Sequence, residues 1–78
     1  MRPVLIGTES DARGFALAGV DTHVCRTREE VEKTLDSVTH TINDPLVIFS
    51  KSAAELIADR CAKWRRDGSG PLFVALPG

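Results

Sequence analysis

The sequence predicts a small α/β domain of the flavodoxin-like or Rossmann-like kind, with a four-stranded parallel sheet in the order 2-1-3-4 and three helices. Four short apolar runs alternate with three segments of helical periodicity, in the order βαβαβαβ. Short connections between such segments are typical of parallel strands joined by right-handed crossovers. The length of 78 residues and the 42% hydrophobic content fit one core, so we expect a single domain over residues 1–78.

The first strand and helix are predicted by an apolar run and a capping pattern. Residues 3–6 are apolar and end at a glycine. Thr8 and Asp11 then have the spacing of a capping box, which predicts a helix over residues 10–18. Gly19 can adopt the left-handed conformation that ends helices, so we expect the helix to stop there.

The second strand and helix follow the same logic. Residues 20–25 are predicted to form the strand. Thr27 and Glu30 form a capping box in which the acidic side chain also favours the positive end of the helix. The helix is amphipathic, because its apolar residues recur at helical spacing: Val31, Leu35, Val38 and Ile42.

The third strand and helix begin after a break at residues 43–45. Residues 46–49 are uninterrupted apolar residues, which is typical of a strand buried on both faces. A third capping box from Ser52 to Glu55 predicts one continuous helix. One face of that helix is apolar and comprises Ile57, Cys61 and Trp64.

The last strand is predicted over residues 72–76, after a loop at 68–71. In the order 2-1-3-4, the first helix lies on one sheet face and the other two lie on the opposite face. One helix cannot cover four strands, so we expect an uncovered apolar strip formed by alternate residues of 46–49 and 72–76. Such a strip indicates a partner, self-association or a missing C-terminal helix.

Composition and charge disfavour several classes of partner. Ten basic and eleven acidic residues are intermixed and give a formal net charge of −1, which predicts no binding to nucleic acid or anionic lipid. The apolar runs are far shorter than the roughly 20 residues of a membrane-spanning helix, and no signal-peptide pattern is present. We therefore expect a cytoplasmic protein without direct membrane insertion. Cys25 and Cys61 lack the spacing of a metal site, so no metal or cofactor is predicted.

The turn after the first strand is the alternative candidate for a site. Residues 7–14 place amides and hydroxyls at a helix N-terminus, where related folds bind phosphate. Glu9 and Asp11 would repel an anion, and neither glycine-rich phosphate motif is present. A receiver-like signalling domain would need an aspartate after the third strand, where Phe49 and Ser50 stand. A small receiver-like or phosphate-binding signalling domain therefore remains the alternative hypothesis, and no catalytic residues are predicted.

Three segments together resemble one known family. They are Val-Leu-Ile-Gly at 4–7, Gly-Phe-Ala-Leu-Ala-Gly-Val at 14–20, and Gly-Pro-Leu-Phe-Val-Ala-Leu-Pro-Gly at 70–78. The chain resembles the F subunit of V-type and archaeal A-type rotary ATPases. The resemblance implies a non-catalytic part of the central stalk, which binds the coiled-coil D subunit and couples ATP hydrolysis or synthesis to proton or sodium transport. It also implies a location peripheral to the membrane, within the ATPase complex.

The resemblance also suggests which surfaces meet partners. Family members usually continue into a C-terminal helical segment that can contact the catalytic head, and we expect this domain to lack that extension. Phe15 and Leu17 are about 200° apart on a helix, so only one of them can face the sheet. From motif position and expected exposure, the candidate contact residues are Phe15, Leu17, Phe49, Phe73 and Leu76. Self-association through the uncovered sheet face is a third hypothesis, and it would make the isolated chain a homodimer.

Overall fold

A computed structural model describes residues 1–77 of the chain. The described part contains four strands and four helices, and the sheet is entirely parallel with the order β2-β1-β3-β4. The predicted fold class and strand order are therefore confirmed. The elements are β1 (Arg2–Gly7), α1 (Glu9–Leu17), β2 (Asp21–Val24), α2 (Arg28–Thr41), β3 (Pro45–Phe49), α3 (Lys51–Leu56), α4 (Ala58–Asp67) and β4 (Leu72–Ala75).

The two central strands, β1 and β3, are buried on both faces. Val4 and Leu5 of β1 have no exposed surface and pair in register with Val47 and Ile48 of β3. Such continuous apolar runs are what a parallel sheet covered on both sides requires. The strands β2 and β4 lie at the two edges, and most of their residues are partly or largely exposed.

Two apolar layers form on opposite faces of the sheet. Because successive side chains of a strand alternate in direction, Val4, Val47 and Phe49 face α2, α3 and α4, whereas Leu5 and Ile48 face α1. Among residues 1–77, the layer beneath the three helices is the larger one and contains twelve buried residues. The α1 layer in the same part of the chain contains three buried residues, which are Leu5, Ala12 and Ile48.

The first two helices begin with the predicted side-chain caps. The Thr8 hydroxyl accepts a hydrogen bond from the Asp11 backbone N–H at 3.3 Å, and the Thr27 hydroxyl accepts one from the Glu30 backbone N–H at 3.2 Å. The helix α1 spans Glu9–Leu17, one residue earlier at each end than predicted. Gly19 has φ of 82°, which confirms the predicted left-handed end of this segment.

The predicted single third helix is wrong in two respects. Its cap is Ser50, whose hydroxyl accepts from the Ala53 N–H at 3.2 Å, and not Ser52. The helical region is also divided at Ile57, where φ of −122° and ψ of 33° separate α3 from α4. The strand β3 ends at Phe49, so the first serine already has the extended backbone of a cap. Ile57 is fully buried at the division, so packing rather than a helix-breaking residue determines this bend.

The last connection is a tight turn against an aromatic side chain. Gly68 has φ of 68° and ends α4, with its N–H bonded to the Trp64 carbonyl at 2.7 Å. Gly70 lies directly against the indole ring of Trp64, where a Cβ atom would overlap the ring. The following strand β4 ends at Ala75, one residue before the predicted end. Gly78, the last residue of the predicted terminal segment, lies outside the described residues.

Candidate partner-binding site

One face of the sheet is only partly covered. The helix α1 contacts mainly β1 and β2, so it covers the same face of β3 only in part and leaves that face of β4 open. Leu72 is 60% exposed and Val74 is 47% exposed on this face. We call the alternate residues on this surface the β3–β4 strip, and it consists of Leu46, Ile48, Leu72, Val74 and Leu76.

The predicted uncovered strip is therefore present, but it is not uniformly exposed. Ile48 is only 9% exposed, because it packs with Leu5 and Ala12 under α1. Leu46 and Leu76 are half-buried and contact the same small cluster. The exposed part of the strip is consequently concentrated on β4, at the edge of the sheet.

The two α1 candidates point in opposite directions, as their spacing predicted. Phe15 is half-buried and packs against the cluster beneath α1. Leu17 is 92% exposed. Because the two positions are about 200° apart on a helix, Leu17 projects away from the sheet while Phe15 borders the strip.

The other aromatic candidates lie on the opposite side of the sheet. Phe49 is fully buried, and its ring centroid lies 6.4 Å from that of Trp64 and 6.0 Å from that of Phe73. Phe73 is half-buried, and the Arg65 guanidinium lies over its ring at 5.2 Å from the centroid. These contacts are those of core aromatic residues, so Phe49 offers no side-chain surface to a partner. Leu76 follows β4 on the strip, with its N–H bonded to the Phe49 carbonyl at 2.8 Å.

The turn after β1 has its polar groups already engaged. Glu9 forms ion pairs with Arg13 at 3.3 Å and with Arg26 at 3.7 Å. Asp11 accepts a hydrogen bond from the Thr8 hydroxyl at 3.2 Å. Ser50 stands after β3 and caps a helix. These side chains serve helix capping and surface ion pairing, and nothing in their geometry favours the receiver-like or phosphate-binding alternative. Within residues 1–77, no three His, Cys, Asp or Glu side chains are grouped to hold a metal ion.

The charged side chains of the helical layer form a network between α2 and α4. Arg28 donates to both carboxylate oxygens of Asp59, at 2.8 and 3.0 Å, and also pairs with Glu32 at 3.4 Å. Glu32 in turn pairs with Arg60 at 3.4 Å. The hydrogen bonds from Arg28 lower the pKa of Asp59 below its ordinary value. Sequence analysis missed this network, since no local pattern shows that residues 28 and 59 meet.

Both cysteines are buried in the larger layer. Cys25 is 6% exposed, with its Sγ 3.4 Å from the Thr34 hydroxyl oxygen, and Cys61 is 2% exposed. Burial raises the pKa of the Cys61 thiol. A buried thiol that resists ionisation acts as a small apolar residue of the core.

Comparison with known proteins gives one family. A family model described as "ATP synthase (F/14-kDa) subunit" matches residues 4–78. The matched range includes all three segments that carried the resemblance. No curated protein matches the chain. In the described residues, no helix combines the length and apolar character needed to cross a membrane.

Proposed function

The chain belongs to the ATP synthase (F/14-kDa) subunit family, and we propose that it is a non-catalytic subunit of the central stalk of a V/A-type rotary ATPase. The observation that carries the proposal is the family match, which extends over residues 4–78 and so includes nearly the whole domain. In this role the domain binds the coiled-coil D subunit and turns with it. The complex thereby couples ATP hydrolysis or synthesis in the head to proton or sodium transport.

A structural role is consistent with how the domain uses its polar side chains. Near the carboxyl edge of the sheet, the Glu9 carboxylate pairs with arginines, and the Asp11 carboxylate accepts a hydrogen bond from the Thr8 hydroxyl that caps α1. The charged residues of α2 and α4 pair with one another across the two helices. Groups held in this way stabilise the fold and are not arranged for chemistry on a substrate, which supports a non-catalytic subunit.

A partner is favoured by the size of the domain and by its exposed apolar surface. A chain of 78 residues buries only roughly 60% of its unfolded surface, so its intrinsic stability is modest. Leu72 and Val74 expose apolar surface side by side on an edge strand. Covering that surface with another subunit would add hydrophobic stabilisation that the isolated domain lacks. We place the domain at the periphery of the membrane, held there by the complex, with the catalytic head as a further neighbour.

The test is formation of a complex with the predicted stalk partner. We would co-express the chain with the coiled-coil D subunit encoded in the same genome and measure the mass of the purified species by light scattering. A one-to-one complex is expected. If the two proteins separate and the chain alone is a dimer, the stalk assignment is wrong and self-association through the sheet face takes its place.

A further inference from the structure

We propose that β4 opens as a unit of its own, in which residues 71–76 leave the sheet by turning about residues 68–70 while the other strands and the helices stay folded. The proposal concerns the domain itself and does not depend on the stalk assignment. It rests on how little packing holds β4 in place, compared with β2 at the opposite edge of the sheet.

One side chain of β4 anchors the strand to the larger apolar layer. Phe73 is half-buried, and its ring centroid lies 5.3 Å from that of Trp64. On the opposite face, Leu72 is 60% exposed and Val74 is 47% exposed, while Leu76 adds a half-buried contact with the cluster beneath α1. All four residues of β4 are apolar, so no side chain of the strand can add an ion pair or a hydrogen bond. Apart from the backbone pairing with β3, the segment is therefore held mainly by Phe73 and Leu76.

The strand β2 is the matched edge strand on the other side of the sheet, and it is held more firmly. It has four residues and the same pattern of exposure as β4. However, α1 packs against it, and its Asp21 accepts a hydrogen bond from Arg2 at 2.6 Å. Cys25, which follows the strand, is only 6% exposed. The two strands share an edge position, so it is packing that distinguishes them.

The connection before β4 provides a point about which the strand can turn. Gly68 has φ of 68°, and Gly70 follows two residues later, so this short segment contains two residues with wide backbone freedom. Pro71 restricts its own φ, which confines the flexible part to the residues before it. When the strand leaves, Gly70 moves off the Trp64 ring and Phe73 withdraws from it. Opening thus uncovers the indole and the outer edge of β3 without disturbing the helices.

Three backbone amides with the same geometry provide the test. Along the carboxyl edge of the sheet, the N–H groups of Cys25, Ser50 and Leu76 donate to carbonyls of the neighbouring strands, at 3.0, 3.1 and 2.8 Å. They report on β2, β3 and β4, respectively. Native-state hydrogen–deuterium exchange of the wild-type chain, followed by NMR in low urea, measures the protection of each amide. We expect the Leu76 amide to be at least about ten-fold less protected than the other two and nearly insensitive to urea, because opening of β4 exposes little surface.

Three results of this experiment would overturn the proposal. Equal protection at Leu76 and Ser50, with equal urea dependence, would mean that β4 leaves the sheet only when the whole domain unfolds. An equally low protection at Cys25 and Leu76 would mean that edge position, and not packing, sets the exchange rate. Protection that rises steadily from Leu76 back to Leu72 would mean fraying from one end and not the opening of a unit.

Two core substitutions give a second test within the same chain. Val31 of α2 is fully buried and lies outside the part that opens, so Val31→Ala weakens the closed form and the form with β4 open alike. It should speed exchange at Ser50 by about ten-fold and leave exchange at Leu76 unchanged. Phe73→Leu removes the aromatic contact of β4 and should speed exchange at Leu76 by up to roughly ten-fold. If Val31→Ala speeds exchange equally at both amides, β4 has no opening of its own.

Discussion

Replacing Gly70 by alanine tests the packing of the aromatic cluster at the end of α4. A Cβ atom at this position would overlap the indole ring of Trp64. That ring is 8% exposed and packs against Phe49 and Phe73, with centroids 6.4 and 5.3 Å away. Phe49 is fully buried, so the indole has no free space on that side and the connection before β4 must shift instead.

The expected change in the free energy of unfolding is the difference between the cost of overpacking and the entropic gain from replacing glycine. Overpacking of a well-packed site costs about 1–3 kcal/mol. The backbone of Gly70 is not in the left-handed region, so alanine gains about 0.4–1 kcal/mol from the reduced entropy of the unfolded chain. The two ranges subtract to a net loss in the free energy of unfolding of about 0–2.6 kcal/mol, with a midpoint of about 1.3 kcal/mol. For a domain of this size, that midpoint lowers Tm by roughly 5–10 °C.

The matched control is the same substitution at Gly14. This residue lies within α1, and a Cβ atom there would meet nothing within 4 Å. Alanine is preferred to glycine inside a helix by about 1 kcal/mol, so Gly14→Ala should raise Tm. Thermal unfolding followed by circular dichroism, with urea midpoints alongside, measures both variants. Equal or higher stability of Gly70→Ala relative to wild type would refute the packing argument.

Three further predictions concern the caps, the ion network and the buried thiol. Because Ser50 caps α3 and Ser52 does not, Ser50→Ala should lower the free energy of unfolding by about 1 kcal/mol and Ser52→Ala by much less, as measured in urea. Equal losses would contradict this and would favour the cap at Ser52 that the sequence predicted. Because Arg28 lowers the pKa of Asp59, that pair stabilises the fold above pH 3.8, and its contribution disappears as pH falls through the lower folded value. Asp59→Asn should therefore reduce the urea midpoint at pH 7 but converge with wild type once the pH falls below the folded pKa of Asp59, and a constant difference would contradict the linkage. Cys61 should react with a thiol reagent only as fast as the domain opens, so labelling at the rate of a free thiol would show that it is not buried.

The parts of the fold that sequence predicted are those governed by local or periodic signals. Alternating apolar runs and helical stripes gave the strand order and placed Val31 and Leu35 in the core, because a parallel sheet needs both faces covered. The caps at Thr8 and Thr27 were also predictable, since a hydroxyl three residues before an acidic side chain has a local function.

The errors arose where tertiary packing outweighed a local pattern. The Ser52–Glu55 spacing predicted that Ser52 would cap the helix. The cap is Ser50 instead, because β3 ends at Phe49 and Ser50 is therefore the residue at the start of α3. No proline or glycine lies at the bend at Ile57, so no helix-breaking residue in the sequence indicates it. Helix propensity alone therefore predicts continuity, while burial of Ile57 depends on the sheet and the neighbouring helix.

The candidate contact surface was predictable as a face but not residue by residue. Topology alone showed that one helix leaves half of a sheet face open, and Leu72 and Val74 are indeed exposed there. Phe49 was a less suitable candidate for partner contact, because whether its side chain is buried depends on which face of the sheet it points to. The opposite directions of Phe15 and Leu17 followed from helix geometry, but which of them faced the sheet required the structure.

The central position of β1 has a consequence for synthesis on the ribosome. Arg2 of β1 pairs with Pro45 of β3, and Ile6 pairs with Phe49. Because β1 is synthesised first, it lacks its pairing partner β3 until residues 45–49 have been synthesised. During that interval the segment from Val4 to Ile6, which is fully buried in the finished domain, is exposed on at least one side. Folding of the sheet is therefore governed by pairings distant in sequence, which slows it relative to helical domains of similar length. The nascent chain is most vulnerable to aggregation before residue 49 has left the exit tunnel.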